Sequence, residues 1–154
     1  MGAFHKKTTT DMRHITHIFI HCTATPQTWG YKELMAEFRN KGWKAPGYHY
    51  AVKPSGELLT LADEDTVANG VKGYNQHAIH IAYIGGISIR NGKTTPLDNR
   101  TTQQRQTITR LLRQLRTRYP QATILGHRDI WGSNPNKWLK ACPCFNAREE
   151  YSGI

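Results

Sequence analysis

Residues 15–21 read ITHIFIH, and this segment determines what kind of sheet the chain can build. Its apolar residues alternate at first and then run together, and several of them are β-branched, which is typical of a buried strand. The segment ends in a histidine. We therefore predict a buried strand that carries His21 at its end.

Two helices and a hairpin are predicted after this strand. Residues 31–41 and 101–119 carry apolar side chains at helical spacing, and the second segment opens with Thr-Thr-Gln-Gln, which has the form of a capping box. Residues 47–61 contain two strand-like runs around Pro-Ser-Gly, a turn sequence. The longer helix is the most strongly patterned element of the chain.

Two further strand-like segments complete the pattern, residues 78–86 and residues 122–127, and the second again ends in a histidine. Strands and helices in mixed order predict an α/β fold with a single mixed central β-sheet flanked by helices. A length of 154 residues suits one domain. We expect a flexible leader over residues 1–14 and a single domain over residues 15–154.

Composition indicates the cellular compartment of the protein and the kinds of partner that it binds. No apolar run reaches the roughly 18 residues of a bilayer span, and the first residues lack the apolar core of a signal peptide, so a soluble cytoplasmic product is expected. Three cysteines, two of them flanking Pro143, favour free or metal-bound thiolates. The net charge of +10 favours a polyanion, either nucleic acid or an acidic cell envelope.

Three residues of types that bind zinc stand where the fold could bring them together. His21 and His127 each end a predicted strand, and Cys142 follows in a later loop. Two imidazoles and one thiolate leave the fourth position of a tetrahedral Zn²⁺ open for water, as in catalytic zinc sites that hydrolyse amides. Spacing alone leaves this triple open, because the chain has eight histidines and no local zinc motif.

Five motifs, in this order and spacing, resemble those of a known family. They are FIHCTAT (19–25), GYHYAVKPSGEL (47–58), VKGYNQHAIHIAYIGG (71–86), GHRD (126–129) and KACPCF (140–145). The chain resembles the zinc N-acetylmuramoyl-L-alanine amidases, and most of all the bacteriophage lysozymes of that family, which are related to the peptidoglycan recognition proteins. The resemblance runs from about residue 15 to residue 145.

This resemblance implies a fold, a reaction and a site. It implies a zinc groove on one face of the mixed sheet and cleavage of the amide between the lactyl group of N-acetylmuramic acid and L-alanine. By position, one zinc ion per chain would be held by His21, His127 and Cys142. Tyr48 and Lys140 would stabilise the negative charge that grows on the carbonyl oxygen. The implied role is a monomeric phage or prophage endolysin, made in the host cytoplasm and acting on the cell wall after release.

The chain departs from the family at three positions. Ala82 stands where many relatives have an acidic residue, so a glutamate general base is not expected there. His80 stands where glycine is usual; it is either a hydrogen-bond partner beneath the zinc or a core histidine, and we favour the core. Gly70 stands where relatives have a loop histidine, which leaves the details of substrate contact open.

Substrate contacts are expected from the long polar loop over residues 62–77 and from the loop between the last two zinc ligands. Cys144 is an alternative ligand to Cys142, whereas Cys22 should point away from the metal because successive strand residues face opposite sides. The residues predicted to bind substrate are Lys72, Asn75, His77 and Trp131.

Two other functions fit parts of the sequence. Some peptidoglycan recognition relatives bind muropeptide without cleaving it, but these lack the ligand cysteine, so Cys142 favours an enzyme. A nucleic-acid binder is suggested by the charge and by five arginines on the second helix, yet no known nucleic-acid-binding motif is present. We interpret those arginines as solvated surface and expect bacterial peptidoglycan as the partner, with neither membrane nor nucleic acid.

Overall fold

The computed structural model describes residues 13–154, in which a five-stranded mixed sheet is covered by helices. A two-stranded hairpin forms a second, separate sheet. Within the described range no helix has both the length and the apolar character needed to cross a membrane. The strands are β1 His17–Cys22, β2 Tyr50–Val52, β3 Leu58–Thr60, β4 Ala78–Tyr83, β5 Ile87–Arg90, β6 Lys93–Pro96 and β7 Thr123–Gly126, and the helices are α1 Tyr31–Asn40, α2 Thr102–Arg118 and α3 Ala147–Glu150.

The first predicted strand lies inside the sheet. The strand order is β3-β2-β4-β1-β7, in which β1 is parallel to both of its neighbours and only the edge strand β3 is antiparallel. Ile20 of β1 pairs with Ile81 on one side and with Gly126 on the other. A strand with neighbours on both sides and helices over the sheet is buried, which explains its continuous apolar run. The predicted α/β class and mixed sheet are confirmed.

The two faces of the sheet bury different kinds of side chain. The alternation of side chains along β1 sends Ile18 and Ile20 into the main core, which Leu112 of α2 covers. Phe19 and His21, which alternate with these two residues along the strand, lie on the other face and are also fully buried. The second face therefore buries polar side chains, His21 and His80, beside the apolar Phe19.

Helix α2 is fixed to the sheet by its first turn. The Thr101 hydroxyl accepts a hydrogen bond from the Gln104 backbone N–H, and the Gln104 side chain accepts one from the Thr101 N–H, so the predicted capping box is confirmed. The buried Gln104 amide also donates to the carbonyls of Val52 (3.0 Å) and Ile84 (3.1 Å). One side chain thus caps the helix and joins it to two segments of the sheet region.

Several local details differ from the predictions. The hairpin of β5 and β6 was not predicted, although Asn91-Gly92 at its turn is a strong hairpin signal. The short helix α3 was also missed. The strand before His127 ends at Gly126, so the histidine begins a short 3₁₀ helix instead of ending a strand.

The predicted leader over residues 1–14 stays a prediction for most of its length. Residues 1–12 lie outside the described residues. Arg13, however, donates hydrogen bonds to carbonyl oxygens of the loop over residues 62–77 and of Ala78, including those of Glu64 and Thr66. Arg13 therefore belongs to the folded part of the chain.

The arginines of α2 are largely used within the molecule. Arg116 donates to the carbonyls of Ala122 (2.6 Å) and Ile154 (3.2 Å), and Arg118 forms an ion pair with Glu64 at 2.7 Å. These contacts fix the end of the helix to neighbouring segments. Four of the five arginines of α2 are nevertheless exposed to solvent, as we expected, and Arg105 and Arg118 also form ion pairs with acidic residues.

Candidate functional site

Two parallel strands bring His21 and His127 together. His21 is the fifth residue of β1, and His127 follows the last residue of β7, the strand paired with β1. Their rings lie edge to face with centroids 5.0 Å apart. On the other side of β1, Ala82 pairs with His21 in register and is fully buried. The residue of β4 next to His21 is therefore an alanine, which has no carboxylate.

The loop after His127 returns to the same place and adds Cys142. The Cys22 backbone N–H donates to the Cys142 sulfur at 3.2 Å, and the Arg128 N–H donates to the Cys142 carbonyl at 2.9 Å. The Tyr83 hydroxyl donates to the carbonyl of Pro143 at 2.7 Å. These bonds attach Cys142 and the proline after it to β1, to β4 and to the 3₁₀ helix that begins at His127.

The other two cysteines lie elsewhere. The Cys144 thiol is 3.9 Å from the Cys22 sulfur and donates to the Gly86 carbonyl at 3.5 Å. Both side chains pack with the main core, on the opposite face from His21. Cys22 thus points away from the histidines, as expected, and the structure brings Cys142 to them instead of the alternative, Cys144.

The grouped residues have the chemistry and spacing of a zinc site. One ligand atom from each of His21, His127 and Cys142 lies within 4.8 Å of the others, and no other such group of three occurs in residues 13–154. His21 Nδ1 is 3.8 Å from Cys142 Sγ. Zinc bonds of about 2.0–2.3 Å in a tetrahedral arrangement separate the ligand atoms by roughly 3.5 Å. The three side chains therefore fit a zinc ion with only small shifts.

Burial keeps the two imidazoles of this group uncharged. It lowers the pKa of His21 far below the usual value, and the nearby His80, His127 and Lys140 lower it further. Burial, with a smaller contribution from Lys140, lowers the pKa of His127 to about 4. Neutral imidazole is the form that binds a metal ion, so both residues are ready to act as ligands at pH 7.

The second nitrogen of His21 has a buried partner, His80. His21 Nε2 is 2.9 Å from Nδ1 of His80, and His80 Nε2 is 2.9 Å from the side-chain oxygen of Asn75. All of these atoms are buried or partly buried. His80 is fully buried, but it is also bonded to the candidate metal ligand, so the structure favours the alternative of a hydrogen-bond partner over the purely core interpretation that we preferred. Only the register of β4 beside β1 reveals this, and a single sequence does not give that register.

Tyr48 and Lys140 border the same group. The Tyr48 ring lies 5.1 Å from the His21 ring, and its hydroxyl donates to the Cys22 carbonyl at 3.4 Å, a long hydrogen bond. Burial, followed by the nearby Cys142, raises the pKa of Tyr48 well above its usual range, so the phenol is protonated at neutral pH. Lys140 is exposed and lines the same groove.

A groove of about 260 Å³ opens beside these residues. Helix α1 forms part of its lining through Leu34, Glu37 and Phe38, and Lys41, directly after the helix, adds to it; the sequence did not mark these residues as functional. Lys41 pairs with Glu37 at 3.5 Å, and its ammonium group lies 4.8 Å from the centre of the Trp43 ring. The amphipathic pattern of α1 was visible in the sequence, but it could not show which residues border a groove.

None of the four predicted substrate-binding residues lines this groove in the described part of the chain. Asn75 is bonded to His80, His77 Nδ1 lies 2.8 Å from the His14 carbonyl, and Lys72 is exposed on the loop. Trp131 stacks on the His127 ring, 5.4 Å away. The loop over residues 62–77 contributes Asn69 and Gly70 to the groove, and contacts of the four named residues with a longer substrate stay a prediction.

Known proteins resemble this chain along most of its length. A family model described as N-acetylmuramoyl-L-alanine amidase matches residues 11–144. The endolysin of Enterobacteria phage K11 is 32% identical over 139 residues, which are 89% of this chain and 85% of that protein. The endolysin of Escherichia phage T7 is 33% identical over 133 residues, 85% of this chain and 82% of that protein.

The same fold occurs in solved structures. The N-acetylmuramoyl-L-alanine amidase LysC from Clostridium intestinale URNW aligns with a TM-score of 0.70 at 22% identity, over 95% of this chain and 87% of that chain. Drosophila PGRP-LB aligns with a TM-score of 0.70 at 17% identity, over 92% and 81%. At these identities the likeness establishes a shared fold.

Proposed function

Because the chain belongs to the N-acetylmuramoyl-L-alanine amidase family, we propose that it hydrolyses bacterial peptidoglycan at the amide between N-acetylmuramic acid and the L-alanine of the stem peptide. Family membership supports the reaction. The observation that carries the catalytic assignment is the convergence of His21, His127 and Cys142 beside a groove. A protein that only bound peptidoglycan would not need two neutral imidazoles and a thiol at one point.

We assign one Zn²⁺ per chain to these three residues. Two imidazole nitrogens and one thiolate suit zinc better than the oxygen-preferring Mg²⁺ or Ca²⁺. When bound, zinc supplies Lewis-acid polarisation of the scissile carbonyl and lowers the pKa of a water molecule towards neutrality. Three protein ligands are also the number found in catalytic zinc sites, whereas structural sites have four.

Tyr48 and Lys140 are assigned to the charge that develops during amide hydrolysis. Negative charge grows on the carbonyl oxygen as its carbon becomes tetrahedral, and donors that reach that oxygen stabilise the transition state more than the ground state. The Tyr48 phenol is protonated, and its present hydrogen bond to Cys22 is long, so little is lost when it turns to the substrate. Lys140 adds a positive charge at the edge of the same groove.

The groove is assigned to the sugar and stem peptide next to the cleaved bond. Leu34, Phe38 and Trp43 offer apolar surface, while Lys41 offers a cation for a peptide carboxylate. The net charge of +10 attracts an acidic cell envelope over longer distances. The ion pairs of Arg118 and the carbonyl contacts of Arg116 support this interpretation over a dedicated nucleic-acid surface on α2.

The named relatives support a biological setting. Two of them are phage endolysins, so we propose that this chain acts as a monomer in phage or prophage lysis. In that setting it is made in the host cytoplasm and reaches the wall after release. A peptidoglycan-binding module without activity is the alternative, and the products of digestion separate the two.

The test is digestion of purified bacterial sacculi followed by mass spectrometry. The proposal expects new peptides with an amino-terminal L-alanine and intact glycan strands, and no release by a Cys142→Ala variant. New reducing sugar ends would identify a glycosidase instead. Binding to sacculi without any released product would identify a binding module.

A further inference from the structure

A line of hydrogen bonds runs from the backbone to the candidate metal ligand through His80. The backbone N–H of Val71 donates to the side-chain oxygen of Asn75 at 2.8 Å. That oxygen is 2.9 Å from His80 Nε2, and His80 Nδ1 is 2.9 Å from His21 Nε2. At the far end, His21 Nδ1 faces Cys142 Sγ at 3.8 Å. No other histidine pair in residues 13–154 connects to the metal group in this way.

The proton positions along this line follow from one fixed donor. A backbone N–H can only donate, so the Asn75 atom that faces Val71 is the oxygen, and that oxygen can only accept. His80 Nε2 must therefore carry a proton. His80 is fully buried, and none of the hydrogen bonds described above joins it to a carboxylate. Its ring is therefore neutral, and its Nδ1 has a free lone pair. His21 Nε2 must then donate, which leaves the lone pair of His21 Nδ1 facing Cys142.

The His80 ring is held in one orientation by its surroundings. It stacks between the Phe19 ring, with centroids 5.5 Å apart at 14°, and the His49 ring, 5.9 Å apart at 5°. The His80 backbone N–H donates to His49 Nδ1 at 3.0 Å, and His49 Nε2 donates to the Thr66 carbonyl at 2.7 Å. The ring and the backbone that carries it are thus fixed separately.

Gly70 is shaped to this ring. A Cβ atom at residue 70 would lie 2.2 Å from His80 Nδ1, much closer than any real contact. The ring therefore occupies the space in which a side chain at residue 70 would lie. A side chain at residue 70 and the His80 ring in its present position therefore exclude each other.

We propose that His80 is a positioning residue of the metal centre: it accepts the Nε2 proton of His21, orients that ring, and so directs the Nδ1 lone pair of His21 to the metal ion. Asn75 fixes the direction of the line, and Gly70 leaves room for the His80 ring. This inference rests on the proposed zinc site. Outer partners of this kind typically change metal affinity by about 10–100-fold.

The first test is nuclear magnetic resonance of the wild-type protein with ¹⁵N-labelled histidine, before and after addition of Zn²⁺. His80 and His21 should both show the Nε2–H tautomer in the metal-free protein. A scalar coupling across the hydrogen bond should join His21 Nε2 to His80 Nδ1. A proton on His80 Nδ1, or the lack of that coupling, would overturn the proposal. This measurement needs neither substrate nor a variant.

The second test compares His80→Asn with His80→Leu, whose side chains have nearly the same shape. The asparagine oxygen can replace Nδ1 as an acceptor for His21, and leucine cannot. Competition with a chelating dye, using Zn²⁺ as the only ligand, should show affinity falling about 10–100-fold in the leucine variant and less in the asparagine variant. Equal affinities in the two variants would show that the ring only fills space, and would overturn the proposal.

A third variant, Gly70→Ala, perturbs the position of the His80 ring without removing a polar atom. Gly70→Ala should displace the ring and weaken Zn²⁺ binding, while Gly153→Ala, whose methyl group meets nothing within 4 Å, should not. Unchanged affinity in Gly70→Ala would count against the role of His80. A wild-type protein that bound no zinc would remove the metal centre itself, whereas a zinc-binding protein without the coupling would remove only the role of His80.

Discussion

Gly126→Ala tests whether the loop that carries Cys142 must stay where the structure has it. The backbone at Gly126 has φ −87° and ψ 158°, which alanine adopts without strain, so any effect comes from the added methyl group. That group would lie 2.7 Å from Pro143 Cδ. Ordinary van der Waals contact begins at about 3.4 Å, so the strand and the loop must separate by roughly 0.7 Å.

This displacement acts directly on the metal group, because Pro143 follows Cys142. Metal sites tolerate distance changes of about 0.2 Å, so we expect Zn²⁺ affinity to fall on the order of 10–100-fold and activity to fall with it. The crowding should also lower the free energy of unfolding by about 1–3 kcal/mol. The Tyr83 bond to the Pro143 carbonyl opposes an easy adjustment of the loop.

The assay measures Zn²⁺ affinity by chelator competition, clearing of a sacculus suspension, and urea unfolding, all in parallel. Gly153→Ala is the matched control, since its methyl group would meet nothing within 4 Å. It should behave as wild type in all three measurements. Wild-type zinc affinity and activity in Gly126→Ala would refute the reasoning, because the loop would then accept the movement at no cost to the site.

Three further predictions concern single side chains. Lys140→Ala should keep its zinc and lose activity on the order of 100-fold, with Lys137→Ala as the exposed control; equal clearing rates in the two variants would contradict the role of Lys140. Partial burial of Glu64 raises its pKa, but hydrogen bonds from Arg118 and two tyrosines outweigh this and lower it below the usual 4.5. The folded state therefore gains stability from Glu64 above about pH 4.5 and loses it as the pH falls through the lowered pKa, so urea unfolding curves of wild type and Glu64→Gln should converge in acid; a constant difference down to pH 3 would count against this. Gln104→Ala removes two buried hydrogen bonds, although the Val52 carbonyl keeps the one from the Ile84 N–H, and should cost about 1–3 kcal/mol in urea unfolding, whereas no measurable loss would show that water replaces the amide.

Elements with a strong local signal could be predicted from the sequence. The run IFI of β1 has neighbours on both sides, and the capping box of α2 forms as its residues predict, because both patterns depend on nearby residues. The β5 and β6 hairpin also has a local signal, Asn91-Gly92, which we did not use. Its strands are short and exposed, so they lack the alternation of buried and exposed residues that is typical of a strand packed on a core.

The candidate metal group could be predicted only in part. The approach of His21 on β1 to His127 after β7 depends on parallel pairing of two strands more than one hundred residues apart, which spacing cannot give. The resemblance supplied the set, and the structure brings its members together.

The surroundings of that group could not be predicted. His80 reaches His21 only because of the register between β4 and β1, and Gly70 matters only because that ring fills its space. The groove wall formed by α1 likewise depends on how a helix packs, which its own pattern does not specify.

Zinc titration of the metal-free protein tests the central claim most directly. Removing metal with a chelator should abolish clearing of sacculi, and adding Zn²⁺ should restore it in proportion, with saturation at one ion per chain. His21→Ala and Cys142→Ala should bind no zinc and stay inactive throughout the titration. Full activity in the metal-free wild type, or zinc bound normally by either variant, would contradict the assignment.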